Sequence, residues 1–159
     1  MTAKLKTLED AFLDELRDAY DFEHQLVTAL PTVAAAAHSM ELRDALEKHL
    51  VETQAQIGRL SEVFTLLGEK ASRKHCAGMA GILEEGNDIV EDEEFEPDAK
   101  DACLVAGCRR VEHYEMAVYG TLIAWAQMLE LTEAESLLQR TLDEEEAADE
   151  TLSDLAESE

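Results

Sequence analysis

The chain has 159 residues, of which 37 are acidic and 13 are basic, and its formal net charge at pH 7 is −24. Nucleic acids and anionic lipid surfaces are bound through basic residues, so this charge argues against both as partners. An apolar content of 46% argues against a disordered acidic tail. Ala, Leu and Glu dominate and only 7 Gly and 2 Pro interrupt them, so we predict an all-α protein with residues 1–159 in one domain.

The acidic residues are spread along the whole chain, and their mutual repulsion destabilises a compact state at low ionic strength. Salt screens this repulsion, so the composition favours a halophilic origin, with an ordinary acidic mesophilic protein as the alternative. The sequence has no continuous apolar run typical of a signal peptide and none near the ~18 residues of a membrane span. Three cysteines without a CxxC pair are typical of free cytosolic thiols. We therefore expect a cytoplasmic protein.

Apolar residues at a helical period predict a first helix over about residues 8–38, with a kink or break at Pro31. Its stripe consists of Leu5, Leu8, Phe12, Leu16, Ala19, Glu23, Leu26, Leu30 and Val33. A second helix is predicted to begin after Ser39 as the N-cap and to end at Gly68. Its stripe consists of Leu42, Leu46, His49, Glu52, Gln56, Leu60, Val63 and Leu67.

The segment of residues 72–90 is richer in glycine and predicts a short helix within a connection, followed by an acidic loop. Pro97 lies near the start of the next predicted helix, residues 98–129. Its stripe consists of Ala102, Val105, Arg109, Glu112, Met116, Tyr119, Ile123 and Ala126. Thr132 and Glu135 predict a capping box for the last helix. The stripe of that helix consists of Leu138, Leu142, Glu145, Ala148, Leu152 and Leu155.

Four long helices joined by two short links and one long middle link predict two antiparallel hairpins and a crossover. This is the arrangement of a ferritin-like four-helix bundle, here with a short extra helix in the long crossover.

Charged or imidazole side chains interrupt each long stripe near the middle of its helix. They are Glu23, His49, Glu52, Glu112, Glu115 and Glu145. The midpoints of antiparallel helices share one level, so we expect these side chains to converge, and converging carboxylates cannot all stay ionised in a dry core. Two metal ions are one remedy, and this ligand chemistry suits iron, manganese or zinc. A solvated or protonated polar layer is the alternative.

Neighbouring residues refine this hypothesis. We expect Glu112 and Glu115 to face inward and His113 to face away, because a residue one step along a helix points elsewhere. Arg109, one turn before Glu112, is the expected partner of that carboxylate if no metal binds. Aromatic residues off the stripe predict a homodimer, since closed two-fold dimers are the commonest oligomers. Those aromatic residues are Tyr114, Trp125 and Phe95.

Four stretches, DAYDFEHQLVTALP, HLVETQAQIGRL, VEHYEMAVYGTL and TLDEEEAADETLSDLA, resemble the ferritin-like stress-protein family of YciF and YciE. The resemblance covers about residues 5–156 and implies a rubrerythrin-like bundle, a dimer, a metal centre near its middle and a stress-associated role. The matching positions are Glu23, Glu52, Glu112, Glu115 and Glu145. Positions 55 and 148 are alanine, so no Glu-x-x-His motif follows Glu52 or Glu145, and His49 precedes Glu52. The site is therefore more anionic, which argues against redox-active iron and leaves manganese, magnesium, calcium or an empty site as alternatives.

Together these features predict a stress-associated protein with a carboxylate-rich dinuclear metal site and oxidase- or peroxidase-like chemistry on an unidentified small molecule. The alternative is a non-enzymatic structural or stress-interaction bundle without a functional metal. A storage cage is disfavoured, because the sequence shows no sign of a larger assembly.

Overall fold

The computed structural model describes residues 5–158, and all regular structure in that range is helical, which confirms the predicted all-α class. The helices are α1 (Leu8–Ala36), α2 (Met40–Leu66), α3 (Ala77–Glu91), α4 (Pro97–Met128) and α5 (Thr132–Ser158). In this part of the chain, no helix combines the length and the apolar character needed to cross a membrane.

The four long helices form a closed ring around the core. Helices α1 and α2 pack together as one hairpin, and α4 and α5 pack together as the other. Contacts of α2 with α5 and of α1 with α4 close the ring, while α3 lies in the crossover against α1 and α4. The predicted four-helix bundle with a short helix in its long connection is therefore confirmed.

The helix ends follow local backbone chemistry. Helix α1 continues through Pro31, so the break considered at that residue does not occur, although a proline lacks the amide proton for the helical hydrogen bond. The hydroxyl of Ser39 caps α2 by accepting a hydrogen bond from the Leu42 amide at 3.2 Å, as predicted. Gly68 follows the end of α2 with a φ of 69°, the left-handed conformation that glycine adopts without strain.

The predicted capping box at α5 is wrong. Thr132 is already helical, and the Glu135 amide donates to the carbonyl of Leu131 at 2.9 Å. The Glu135 carboxylate instead accepts a hydrogen bond from the side chain of Gln127 on α4. A side-chain donor on the preceding helix is therefore the partner of Glu135, and the sequence around Glu135 contains no information about it.

The turn between α4 and α5 contains Glu130 with a φ of 58°, which is the positive-φ residue other than glycine in residues 5–158. The Glu130 amide donates to Gln127 and the Leu131 amide donates to Ala126, which is the hydrogen-bond pattern of a Schellman helix end. A left-handed backbone is strained for any residue with a Cβ. We expect Glu130→Gly to raise the free energy of unfolding by about 0.5–1 kcal/mol, measured by urea titration.

The equivalent substitution at the other helix end is the control for this prediction. Gly68→Ala should lower the free energy of unfolding by about 1 kcal/mol, because its φ of 69° then carries a Cβ. Equal stability of Glu130→Gly and the wild type would show that the turn bears no such strain.

A buried carboxylate fixes α3 to the bundle. Asp21 of α1 accepts hydrogen bonds from the Cys76 amide at 2.8 Å and from Arg73 at 2.8 Å. Gly78 lies in the first turn of α3, where an added Cβ would be 2.6 Å from the hydroxyl oxygen of Tyr114 on α4. Glycine thus allows α3 to approach α4 closely. Tyr114, one of the aromatic residues that predicted a dimer, is partly buried within the chain, where its hydroxyl lies 3.2 Å from the Cys76 sulfur.

Candidate metal centre

Side chains from three helices converge at the middle of the bundle. His49 of α2 faces Glu112 and Glu115 of α4, with distances from Nε2 of 3.4 Å to Glu112 Oε1 and 3.7 Å to Glu115 Oε2. Glu145 of α5 approaches from the other side, 3.9 Å from Nδ1 to Oε2. Each of the four offers one donor atom, and these atoms lie within 4.8 Å of one another. We call these four residues the carboxylate cluster.

Helix α1 contributes a fourth buried acid beside the carboxylate cluster. Glu23 is fully buried, and one of its oxygens accepts a hydrogen bond from the hydroxyl of Tyr119. Tyr119 lies one turn after Glu115 on α4, so the same helix face supplies both side chains. The sequence indicated Tyr119 only as a core aromatic. Its position on the stripe indicates burial, and a buried tyrosine hydroxyl needs a polar partner, so a hydrogen bond to a nearby acid could have been expected.

A polar bridge between α2 and α5 positions Glu145. The Gln56 amide nitrogen donates to Glu145 Oε1 and, at 3.1 Å, to Glu144 Oε2. Arg59 of α2 then pairs with Glu144, with an Nη1–Oε2 distance of 2.8 Å, and donates to Thr141 at 2.9 Å. The sequence placed Gln56 on the stripe but missed Arg59. The only local signal was its position three residues after Gln56.

Burial and mutual repulsion keep the acids of the centre from ionising together. Burial is the main cause that raises the pKa of Glu112 well above its usual range, and interaction with Glu145 adds to it. Burial likewise raises the pKa of Glu115, aided by the charges of Glu145 and Glu23. The pKa of Glu23 is raised by burial and by Glu145, against the opposing hydrogen bond from Tyr119. Without a cation, the centre must therefore hold protons.

Glu52 lies apart from the carboxylate cluster. Its side chain is 20% exposed, and its carboxylate pairs with Lys48 Nζ at 3.2 Å. The inward position of the second helix belongs to Thr53, whose hydroxyl donates to the carbonyl of His49. In a helix, the residues three and four positions after His49 both lie near its face, and these are Glu52 and Thr53. Packing against α5 places Thr53 inward. Ligation by Glu52 stays a prediction.

The structure separates the remaining polar residues of α4 from the centre. His113 is exposed and faces Asp149 of α5, with 3.2 Å between Nε2 and Oδ2. Arg109 does not pair with Glu112, because its Nε donates to the same Asp149 carboxylate at 3.0 Å. The predicted Arg109–Glu112 pair is therefore wrong. Arg109 lies at the edge of the buried face, where an acidic residue of α5 is nearer than the bundle axis.

Buried polar atoms that lack hydrogen-bond partners indicate whether these residues suit a metal ion. Among residues 5–158, several buried side-chain atoms lack any hydrogen-bond partner, and most belong to this centre. They are both ring nitrogens of His49, both oxygens of Glu115, and one oxygen each of Glu23, Glu112 and Glu145. Unpaired buried polar atoms are costly, and their clustering at one point is what a bound cation relieves. The donor set therefore fits a metal centre.

Comparison with known proteins gives concordant matches along the chain. Residues 7–159 match the family described as a domain of unknown function, DUF892. The chain is 42% identical over 153 residues to Protein YciF of Escherichia coli (strain K12), covering 96% of this chain and 92% of that protein. The crystal structure of the E. coli stress protein YciF matches with a TM-score of 0.92 at 42% identity, covering 96% of both chains.

Two further solved structures share the fold. YcfI from Rhodopseudomonas palustris, described as a candidate structural protein, matches with a TM-score of 0.92 at 40% identity, covering 96% of this chain and 97% of that chain. A protein from Xanthomonas campestris pv. campestris has a TM-score of 0.75 at 22% identity, covering 96% and 92% of the two chains, and shows the fold alone. The predicted resemblance to YciF is thus confirmed, and the chain belongs to the DUF892 family.

Proposed function

We propose that the protein is a stress-associated, YciF-like bundle that binds two divalent metal ions at its centre. The observation that carries this proposal is the set of unpaired buried atoms on His49, Glu112, Glu115 and Glu145. With Glu23, the centre has four carboxylates, whose full ionisation would place four negative charges in the core. Two divalent ions would neutralise that charge.

The carboxylate cluster would hold the ions, with Glu23 as a further ligand from α1. Oxygen donors with a single imidazole suit iron or manganese, while zinc, magnesium and calcium are also compatible. Bound iron or manganese would supply one-electron chemistry toward oxygen or a peroxide. The Tyr119 hydroxyl would orient Glu23, and Gln56 would orient Glu145, since partners behind a ligand fix its direction.

A second function, that of a structural or stress-interaction protein, is favoured by a specific observation. The raised pKa values of Glu23, Glu112 and Glu115 allow the centre to be neutral when it holds protons instead of metal. A protonated layer of this kind can persist as a polar feature that restricts how the helices pack. The predicted homodimer, cytoplasmic location and halophilic origin remain parts of the proposal.

Metal content distinguishes the two functions. Protein purified without a chelator and reloaded with Fe²⁺ or Mn²⁺ should retain up to two ions per chain after gel filtration, measured by plasma mass spectrometry. Bound metal should also raise the melting temperature, because a ligand that binds only the folded state stabilises it. Retention of no ion after loading, with an unchanged melting temperature, would leave the structural function.

A further inference from the structure

A largely apolar cavity of about 280 Å³ reaches from the surface of the bundle toward the metal centre. All five helices contribute to its wall, with α3 covering the side between α1 and α4. Apolar side chains such as Leu30, Ile82 and Leu152 form most of the lining. Nearest the middle of the bundle the lining changes to His49 and Glu112, which form a buried polar end, while exposed polar residues line the outer rim.

Two glycines keep this cavity open. Gly107 of α4 and Gly86 of α3 both line it, and a Cβ added at either position would meet no atom within 4 Å. Glycine in a helix interior weakens the helix, and an empty apolar cavity costs the contacts that its wall atoms lack. The two glycines thus destabilise their helices and also leave a space that destabilises the fold when it is empty. This combination is typical of a space that a ligand fills.

The cavity's size and chemistry specify the ligand. An apolar cavity of about 150 Å³ holds benzene, so this one has room for roughly ten non-hydrogen atoms. At the polar end, one oxygen of Glu112 and both ring nitrogens of His49 have no hydrogen-bond partner within the described chain. If each residue gives one atom to a metal, Glu112 keeps a second oxygen and His49 a second ring nitrogen, and a hydroxyl group can donate to the former or accept from the latter. Between this end and the solvent-facing rim the walls are apolar, so they exclude a second polar group from the middle of the ligand.

We propose that this cavity binds a small neutral amphiphile, an alkyl chain or ring of about ten non-hydrogen atoms with one hydroxyl-type end directed at Glu112 and His49. The choice of a neutral end rests on the proposed function, because bound metal cancels the carboxylate charge that would otherwise favour a cation. Binding of the apolar body does not depend on metal. The ligand's polar end therefore lies beside the centre where its chemistry would take place.

Calorimetric titration with 1-octanol tests the proposal on the full chain, both loaded with Mn²⁺ and treated with a chelator. We expect saturable 1:1 binding with a negative heat-capacity change, the signature of apolar burial. The probe 1,4-octanediol is the matched ligand, and it should bind at least about tenfold more weakly because its second hydroxyl lies against the apolar walls. Equal binding of the two probes would overturn the orientation and the apolar character of the site.

Filling the cavity provides the variant test. Gly107→Leu on α4 and Gly86→Leu on α3 should each weaken octanol binding at least about tenfold while keeping or raising the melting temperature. Gly58→Leu is the matched control, because Gly58 is exposed on α2 and also has open space at its Cβ. Undiminished binding by both filled variants would overturn the proposal. The proposal would also be overturned if light scattering showed that octanol dissociates a dimer of the protein and calorimetry showed no saturable binding.

Comparing metal retention with octanol binding distinguishes a failure of the cavity proposal from a failure of the proposed metal function. Octanol binding in a protein that retains neither Fe²⁺ nor Mn²⁺ would support the cavity and overturn the metal function. Retained Mn²⁺ without octanol binding would overturn the cavity ligand and leave the metal function intact.

Discussion

Glu112→Gln should abolish metal binding while making the metal-free protein more stable. The amide has the shape of the carboxylate but neither its charge nor its strength as a ligand. The affinity for metal should therefore fall by more than about 100-fold, which exceeds the loss expected when a residue that only hydrogen-bonds a metal ligand is changed. The same change removes a carboxyl that is 2% exposed and whose pKa burial raises well above its usual range. Without metal at pH 8, the variant should therefore unfold at a higher temperature than the wild type.

The control substitution is Glu146→Gln. Glu146 is exposed on α5 and adjacent to Glu145, so it loses the same charge at a similar depth along the bundle without touching the centre. It should retain wild-type metal content. Arg109→Ala should also retain it, because Arg109 pairs with Asp149 on the surface. A lower stability of metal-free Glu112→Gln, with metal content unchanged, would identify Glu112 as part of a structural polar network.

The metal-free protein should lose stability as the pH rises from 5 to 8. The folded-state pKa values of Glu23, Glu112 and Glu115 lie well above 4.5, mainly because of burial, whereas in the unfolded chain these carboxyls titrate near 4.5. Between those values the folded state binds more protons than the unfolded state, so the free energy of unfolding falls with pH. Each carboxyl contributes a slope of about 1.4 kcal/mol per pH unit while it remains protonated in the folded state.

Urea titration with a chelator in 1 M KCl measures this slope, because salt at that concentration screens the surface repulsion within about 3 Å. We expect the free energy of unfolding to be at least about 2 kcal/mol higher at pH 5 than at pH 8. Glu115→Gln should flatten the profile, and Glu146→Gln should not. Saturating metal should reverse it, since metal competes with protons for the same oxygens. A flat profile in the wild type would mean that the acids are ionised in the fold.

The sequence by itself determined the helical class, the approximate helix bounds and the depth at which acids enter the core. Helical periodicity and capping are local properties, so Ser39 and Gly68 could be identified as helix ends from their neighbours. Glu23, Glu112 and Glu145 fall on apolar stripes near helix midpoints, and the structure buries all three. The short links and the long crossover also follow from chain order alone.

Only the tertiary structure decided which edge positions of each helix face inward and what they meet. A period of 3.6 residues leaves positions at the border of a stripe ambiguous, so packing selected Thr53 over Glu52 on α2. Partners across helices depend on how the ring closes: Glu23 and Tyr119 meet although they are 96 residues apart in the chain. Arg109 pairs with α5 for the same reason. Local periodicity gives the face of a helix, but the neighbouring helices determine the contacts made there.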